Sequence, residues 1–336
     1  MAQSRTRPVS YATYIELPQI SFQHVPASAP AATRVIILRL DRPKAKNAFT
    51  EVMRASLVTA LDMLSADDRV KAIVFTGADP NNKIFCPGMD LDMASDTQNT
   101  KGTGVGLAKV GLGTNRGGPI SEELKAERAA YRDGGAQVSL AIYRCAKPVI
   151  AAINGSAVGV GMTMTLPCNA RIVSSAAKVG FVFSRRGINT EACSSYFLPR
   201  IIGAGKALTL LTTGATYKTS DPAVRDIFHE VVAPDQVIPR AVALAQEIAD
   251  KTSTVASRAM KDMIYAGAPS CPEEALLLES RIFFDLFRGQ DSAEGIRSFL
   301  EKREPKFDAV WERDRPSSWP WWDGPEGGEK LVKSKI

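Results

Sequence analysis

The feature that most constrains this chain is one crossover unit near its start. Arg34 to Leu40 (RVIILRL) is a short apolar run that ends in Asp41-Arg42-Pro43, a strand followed by a loop. Residues 50–65 then place Leu57, Leu61 and Leu64 at i, i+4 and i+7, the spacing of a helix with one buried face. Lys71 to Thr76 (KAIVFT) is a second strand, stopped by Gly77. Strand–helix–strand at these lengths closes as a right-handed crossover, which demands a parallel sheet and an α/β class.

The rest of the chain extends that unit. Lys147 to Asn154 (KPVIAAIN) reads as a further strand, ended by Gly155. An Ala/Gly/Met/Thr stretch follows as a buried helix to about Cys168. Arg171 to Val173, Val179 to Phe183 and Ile227 to Val232 read as short strands, and Glu122 to Ala141 as one helix. Beyond residue 235 the pattern is helical over 235–251, 253–266, 272–288 and 291–303. The expected division is a leader over 1–33, an α/β core over 34–233, a helical region over 234–303 and a tail over 304–336. Within the core, residues 101–118 carry seven glycines. They lack the G-K-[ST] of a phosphate loop and read as a flexible insert, placed where a lid would also fit.

Composition matters chiefly by exclusion. The 336 residues are 45% hydrophobic and 23% charged, with a net charge of +6. That balance belongs to a folded globular chain. The charge suits a polyanionic ligand, but no basic run with interleaved aromatics calls for nucleic acid. Five cysteines, none in a C-x-x-C pair, make a disulfide framework unexpected in a chain of this size. The only histidines, His24 and His229, have no accompanying nucleophile or ligand set. A Ser-His-Asp triad and a metal centre are therefore not expected, and without a G-x-G-x-x-G strand–helix unit neither is a nicotinamide cofactor.

The ends read as an address and a packed tail. No secretory h-region is present, and no apolar run reaches the length of a membrane span. Ser334-Lys335-Ile336 resembles the S-K-L peroxisomal address, so a peroxisomal import receptor is an expected partner; mitochondrion and cytosol are the alternatives. Trp311, Trp319, Trp321 and Trp322 cluster with Pro316 and Pro320 in a segment expected to pack on the body or on a neighbouring subunit.

Two turns carry chemistry. Phe85-Cys86-Pro87-Gly88-Met89-Asp90-Leu91 follows a strand, and Pro-Gly forces a turn that presents backbone N–H groups. Asn154-Gly155-Ser156-Ala157-Val158-Gly159-Val160-Gly161 joins a strand to a helix whose first turn has unpartnered N–H groups at the positive end of its dipole. Small residues there let a ligand approach the backbone. Two such turns face to face make an oxyanion hole, a pair of fixed donors for a carbonyl oxygen that becomes negative.

With these turns the chain resembles the crotonase superfamily, the enoyl-CoA hydratase/isomerase family. Arg42-Pro43-Lys44-Ala45-Lys46-Asn47-Ala48 is similar to its first CoA-binding loop, Phe85 to Leu91 to its first oxyanion turn and Lys147 to Gly161 to its second. Phe299-Leu300-Glu301-Lys302-Arg303 resembles its C-terminal helix, so the resemblance runs from about residue 34 to 308. It implies an α/β fold with a crotonase-like ββα spiral core and a helical C-terminal trimerisation region. It further implies an acyl-CoA substrate, with coenzyme A as part of that substrate and no separate cofactor, and a homotrimer or homohexamer. Carried over by motif, the oxyanion donors are the N–H groups of Met89 and Val160. The CoA contacts are Lys44, Ala45, Lys46, Asp90 and Leu91, with Phe299 and Lys302 reaching a neighbouring subunit's CoA.

The same resemblance points to the reaction. Hydratases of the family use two glutamates, and at the matching positions this chain has Thr163 and Phe183. Asn189-Thr190-Glu191-Ala192-Cys193-Ser194-Ser195-Tyr196 is instead similar to the segment holding the single catalytic glutamate of peroxisomal Δ3,Δ2-enoyl-CoA isomerases. Glu191 is thereby the expected catalytic base and isomerisation the expected reaction. A hydratase or dehydratase would draw a second acid from Glu122, Glu123, Glu127 or Asp133. A non-catalytic acyl-CoA binder, which would bind CoA without turnover, and an RNA binder, which would show steep salt dependence, are the remaining alternatives.

Overall fold

The structure is a computed structural model and describes residues 7–90 and 121–322, the side chain of residue 127 excepted. In chain order its strands are β1 (Ile20–Val25), β2 (Val35–Leu40), β3 (Ala72–Gly77), β4 (Ile84–Cys86), β5 (Val149–Ile153), β6 (Ser156–Val158), β7 (Ala170–Ser174), β8 (Lys178–Gly180), β9 (Thr216–Lys218) and β10 (Glu230–Val232). Its helices in the body are α1 (Glu51–Ala66), α2 (Glu122–Ala130), α3 (Gly134–Arg144), α4 (Val160–Thr163), α5 (Ser194–Ile202), α6 (Ala204–Thr213) and α7 (Pro222–Arg225). The C-terminal helices are α8 (Val237–Lys251), α9 (Thr254–Tyr265), α10 (Pro272–Phe287), α11 (Gln290–Leu300) and α12 (Trp311–Asp314). Leu91, the glycine-rich insert and Ser334-Lys335-Ile336 lie outside the described residues.

Two sheets organise the body. The larger runs β1-β2-β3-β5-β7-β10 and is parallel except for β1, which pairs antiparallel with β2. The β2-α1-β3 crossover is the unit expected from residues 34–76. Continuous apolar strands such as Ala72-Ile73-Val74-Phe75 are required because both faces of this sheet are covered. On one face, Ala241, Ala245 and Ala249 of α8 pack against Ile37, Val74, Ile150 and Ile172. Small side chains at i, i+4 and i+8 bring that helix close to the strands. On the other face, Leu38, Ile73 and Phe75 join Leu57, Leu61 and Leu64 of α1 in the main core.

The smaller sheet runs β4-β6-β8-β9, with β4, β6 and β8 parallel. It carries the candidate site.

Several boundaries differ from the sequence expectation, each for a physical reason. Residues 20–25 lie inside the segment expected to be a leader, yet they form the edge strand β1 with the buried alternation of Ile20 and Phe22. Here His24 is fully buried, its Nε2 accepting from the Tyr11 N–H at 3.1 Å and its Nδ1 facing the Ala29 carbonyl at 2.9 Å. The helix expected over 122–141 is two helices, because Asp133 caps a new one, accepting from the Ala136 N–H at 2.6 Å, and Gly134-Gly135 follows it. The helix expected to reach Cys168 regularises only over α4 and continues as turns.

The tail packs as expected on the body. Trp319 Nε1 donates to Asp262 at 3.0 Å and Trp321 Nε1 to the Ala266 carbonyl at 3.0 Å. Trp311 meets Trp319 edge to face. These indoles close a small core with Val255, Ala259, Leu278 and Ile282.

Candidate active site

Two turns meet at the C-terminal ends of the parallel strands β4 and β6. Met89 forms an isolated parallel bridge with Phe49: the Phe49 N–H donates to the Gly88 carbonyl and the Asp90 N–H to the Phe49 carbonyl, both at 2.9 Å. In such a bridge the middle residue's own N–H points to the opposite side of the strand. Thus the Met89 N–H faces away from Phe49, and no described residue accepts it. Val160 opens α4, where its N–H belongs to the unpartnered first turn. Gly159 before it has a φ of +56°, which turns the chain from β6 into the helix. A Cβ on Gly159 would lie 3.9 Å from the Cα of Gly88, so the turns are neighbours. The small residues at 155 and 161 have a further role. A side chain on Gly155 would run into the backbone of Ile84, and one on Gly161 into the Cys86 carbonyl, so they admit β4 itself.

The loop expected to hold CoA is tied to the first turn. Arg42 Nη1 donates to Asp90 Oδ2 at 2.9 Å and to the Ala48 carbonyl at 2.8 Å. Buried Asn47 accepts from the Arg42 N–H at 2.9 Å and donates to the Phe85 carbonyl at 3.3 Å. Asp90 is therefore occupied in pairing with Arg42. Lys44 and Lys46 are exposed with Ala45 half-buried between them, and neither lysine forms an ion pair among the described residues. Phe299, 81% exposed, and Lys302, also exposed, lie at the end of α11 in the C-terminal layer, and the single chain does not bring them into the site.

Glu191 lies where these turns meet α3 and α4. It precedes α5, and its carbonyl accepts from Ser194 N at 3.0 Å and Ser194 Oγ at 2.6 Å. Ala192 and Cys193 after it have φ of 56° and 57°. Two successive non-glycine residues in the left-handed region are strained, and such strain gathers at functional positions. Thr163 Oγ1 donates to Glu191 Oε1 at 2.5 Å. On the other side, a Cβ on Gly135 would overlap Glu191 Oε2 and come within 3.0 Å of Val160 Cγ2. The carboxyl thus sits in a slot between Thr163, Gly135 and the Val160 side chain.

The electrostatics of this slot favour a proton carrier. Burial is the main cause that lifts the Glu191 carboxyl to about 8, against the lowering effect of the Thr163 hydrogen bond. Asp133 adds to the rise, through its charge and through a hydrogen bond between the two carboxyls. Nearby, burial pushes the Cys86 thiol up to about 12, with a smaller push from Glu191. Tyr131 is raised as well, by burial and then by Asp133, Glu51 and Glu191. Phe183, buried, closes the region 4.0 Å from a Cβ on Gly159 and supplies no acid.

Of the residues expected from the sequence, Glu191 and Val160 both border Gly135, and the turn before Met89 lies against Gly159. Sequence reasoning missed Gly135, and it saw Thr163 only as a lost carboxylate. The signal for the first was Asp133-Gly134-Gly135, a cap and two glycines inside an otherwise helical stretch. Among the described side chains of the four acids expected as a second group, Asp133 is the one that acts on Glu191.

Comparison with known proteins places the chain in a family. A family model described as enoyl-CoA hydratase/isomerase matches residues 31–108 and 116–310. The chain is 41% identical over 288 residues to the enoyl-CoA hydratase ACTT3 of Alternaria alternata, covering 85% of this chain and 87% of that one. Among solved structures it is similar to an enoyl-CoA hydratase of Mycobacterium smegmatis, with a TM-score of 0.66 and 26% identity over 87% of this chain and 100% of that one. An enoyl-CoA hydratase subunit I of Geobacillus kaustophilus HTA426 gives a TM-score of 0.68 and 26% identity, covering 87% and 99%.

Proposed function

Because the chain belongs to the enoyl-CoA hydratase/isomerase family of acyl-CoA enzymes, we propose that it moves a double bond within an enoyl-CoA thioester, with Glu191 as the proton carrier. The observation that carries this reading is the Glu191 carboxyl itself, half-buried in the slot between Thr163, Gly135 and Val160, while Thr163 and Phe183, which the resemblance matches to the hydratase glutamates, supply no acid. The thioester carbonyl oxygen accepts from the N–H groups of Met89 and Val160. Ionised Glu191 takes a proton from C2, and the electron pair spreads over a dienolate whose oxygen those donors stabilise. The protonated carboxyl then delivers the proton to C4, and the double bond comes to rest in conjugation. One group that gains and returns one proton suffices. A carboxyl lifted toward neutrality holds that proton between the two transfers.

Lys44 and Lys46 at the mouth supply point charges for the phosphates of CoA, with Ala45 and the backbone at Asp90 lining the approach. Phe283, Phe284, Phe287, Ile296 and Phe299 leave an exposed apolar face on α10 and α11. That face supports association into a trimer or a pair of trimers, in which Phe299 and Lys302 would reach the CoA of a neighbour.

A second reading, hydration of a 2-enoyl thioester, is favoured by one observation: Asp133 gives the slot a second carboxyl. One carboxyl would deprotonate water while the other protonates C2, and the relatives' names carry that activity. The test offers purified protein a 3-enoyl-CoA and, separately, a 2-enoyl-CoA, and follows the conjugated thioester absorbance. Its appearance from the 3-enoyl substrate supports isomerisation. Its loss from the 2-enoyl substrate alone supports hydration.

A further inference from the structure

Thr163 stands in α4, fully buried, at the position that the resemblance matches to a hydratase glutamate. Its hydroxyl lies between two oxygens, Glu191 Oε1 at 2.5 Å and the Gly159 carbonyl at 3.2 Å. A threonine hydroxyl has one hydrogen and can serve only one of them at a time, while its lone pairs can accept from a third group.

We propose that Thr163 is the positioning residue of this site, a hydroxyl rotor that holds the Glu191 carboxyl in one place through both of its protonation states. When Glu191 is ionised, Thr163 donates to Oε1. When Glu191 has gained the substrate proton, the hydroxyl turns to the Gly159 carbonyl and accepts from the new carboxylic acid. The carboxyl keeps a partner throughout, so it need not move between taking a proton at one carbon and returning it at another. Gly135 completes the arrangement, because the missing Cβ leaves Oε2 its room. This role rests on the reading of Glu191 as the proton carrier.

The groups that bear on Glu191 come from every element around it. Asp133 faces it from the start of α3, and Cys86 from the end of β4. Tyr131, itself influenced by Glu51, faces it from the break before α3, and Cys193 from its own segment. Of these neighbours Thr163 is the one whose hydrogen bond favours the ionised form. Donation to a carboxylate is about twice as strong as a neutral hydrogen bond, so removing the hydroxyl costs the ion more than the acid.

Three full-length variants decide the matter: Thr163→Val, which is nearly isosteric, Thr163→Ser, and Glu191→Gln. The infrared carboxyl band that disappears in Glu191→Gln reports the Glu191 titration directly and needs no turnover. In Thr163→Val its midpoint is expected to rise by about one pH unit, and in Thr163→Ser to return to the native value. The rising limb of kcat against pH moves with it, kcat falls about 10- to 100-fold, and KM for the thioester stays the same. An unchanged midpoint in Thr163→Val, or a serine variant that behaves like valine, overturns the proposal. Absence of isomerisation in the native protein would instead overturn the reading of Glu191, and the infrared titration keeps the two failures apart.

Discussion

A methyl group on Gly135 would occupy the space of the Glu191 carboxyl oxygen Oε2. The start of α3 and the segment before α5 are thus fitted to one another at the Glu191 carboxyl. Gly135→Ala is therefore expected to push Glu191 from its slot, since Val160 Cγ2 at 3.0 Å and Ala192 Cβ at 3.1 Å leave no alternative room. Turnover should fall at least 100-fold, while overpacking lowers stability by only about 1–3 kcal/mol. Steady-state kinetics beside urea unfolding separates the two effects.

The raised Glu191 carboxyl predicts opposite slopes for activity and stability. A base must be ionised to act, so kcat/KM for isomerisation should climb as pH rises through about 8. Stability runs the other way. Between the ordinary carboxylate range and about 8 the folded chain holds a proton that the unfolded chain has lost, so this group's contribution declines as pH rises across that window. Glu191→Gln should remove that decline. Thermal melts of both proteins from pH 5 to 9 should diverge toward the alkaline end, with the variant the more stable.

Asp133 distinguishes the two reactions. Asn caps a helix about as well as Asp, so Asp133→Asn should keep α3 folded while it removes a charge that raises Glu191. If Glu191 works alone, isomerisation persists and its rising limb moves to lower pH. If the pair hydrates, addition of water collapses. Parallel rates on the two thioesters, measured across pH, show which occurs.

How far the sequence revealed this site depends on what each residue contacts. The β2-α1-β3 crossover was legible because its apolar periodicity is local, and the two turns because Pro-Gly and Gly-rich punctuation is local too. The slot was not, because Thr163, Gly135 and Glu191 meet only through long-range packing. Thr163 reads in the sequence as an absent acid, whereas in the fold it is a partner 28 residues away from the acid that is present. Likewise β1 lay within the segment expected to be a leader, and its pairing with β2 makes it the sheet's edge strand.

The C-terminal layer offers a stability test away from the chemistry. Arg258 and Asp262 pair at 2.8 Å with side chains 6% and 0% exposed. Arg258 also donates to the carbonyls of Tyr143 at 3.3 Å and Cys145 at 2.8 Å, where α3 ends, and Asp262 accepts from Trp319. Arg258→Met leaves Asp262 buried without its cation and takes a donor from those carbonyls, of which Cys145 keeps Lys261 Nζ at 2.8 Å. Unfolding free energy should fall by roughly 3–5 kcal/mol, as read from the denaturant midpoint at unchanged m-value.

The most direct measurement compares native protein with Glu191→Gln on a 3-enoyl-CoA, following growth of the conjugated thioester absorbance. The account predicts conversion by the native protein and loss of at least about 1000-fold in the variant, with thioester binding retained. Conversion that survives the substitution would contradict it.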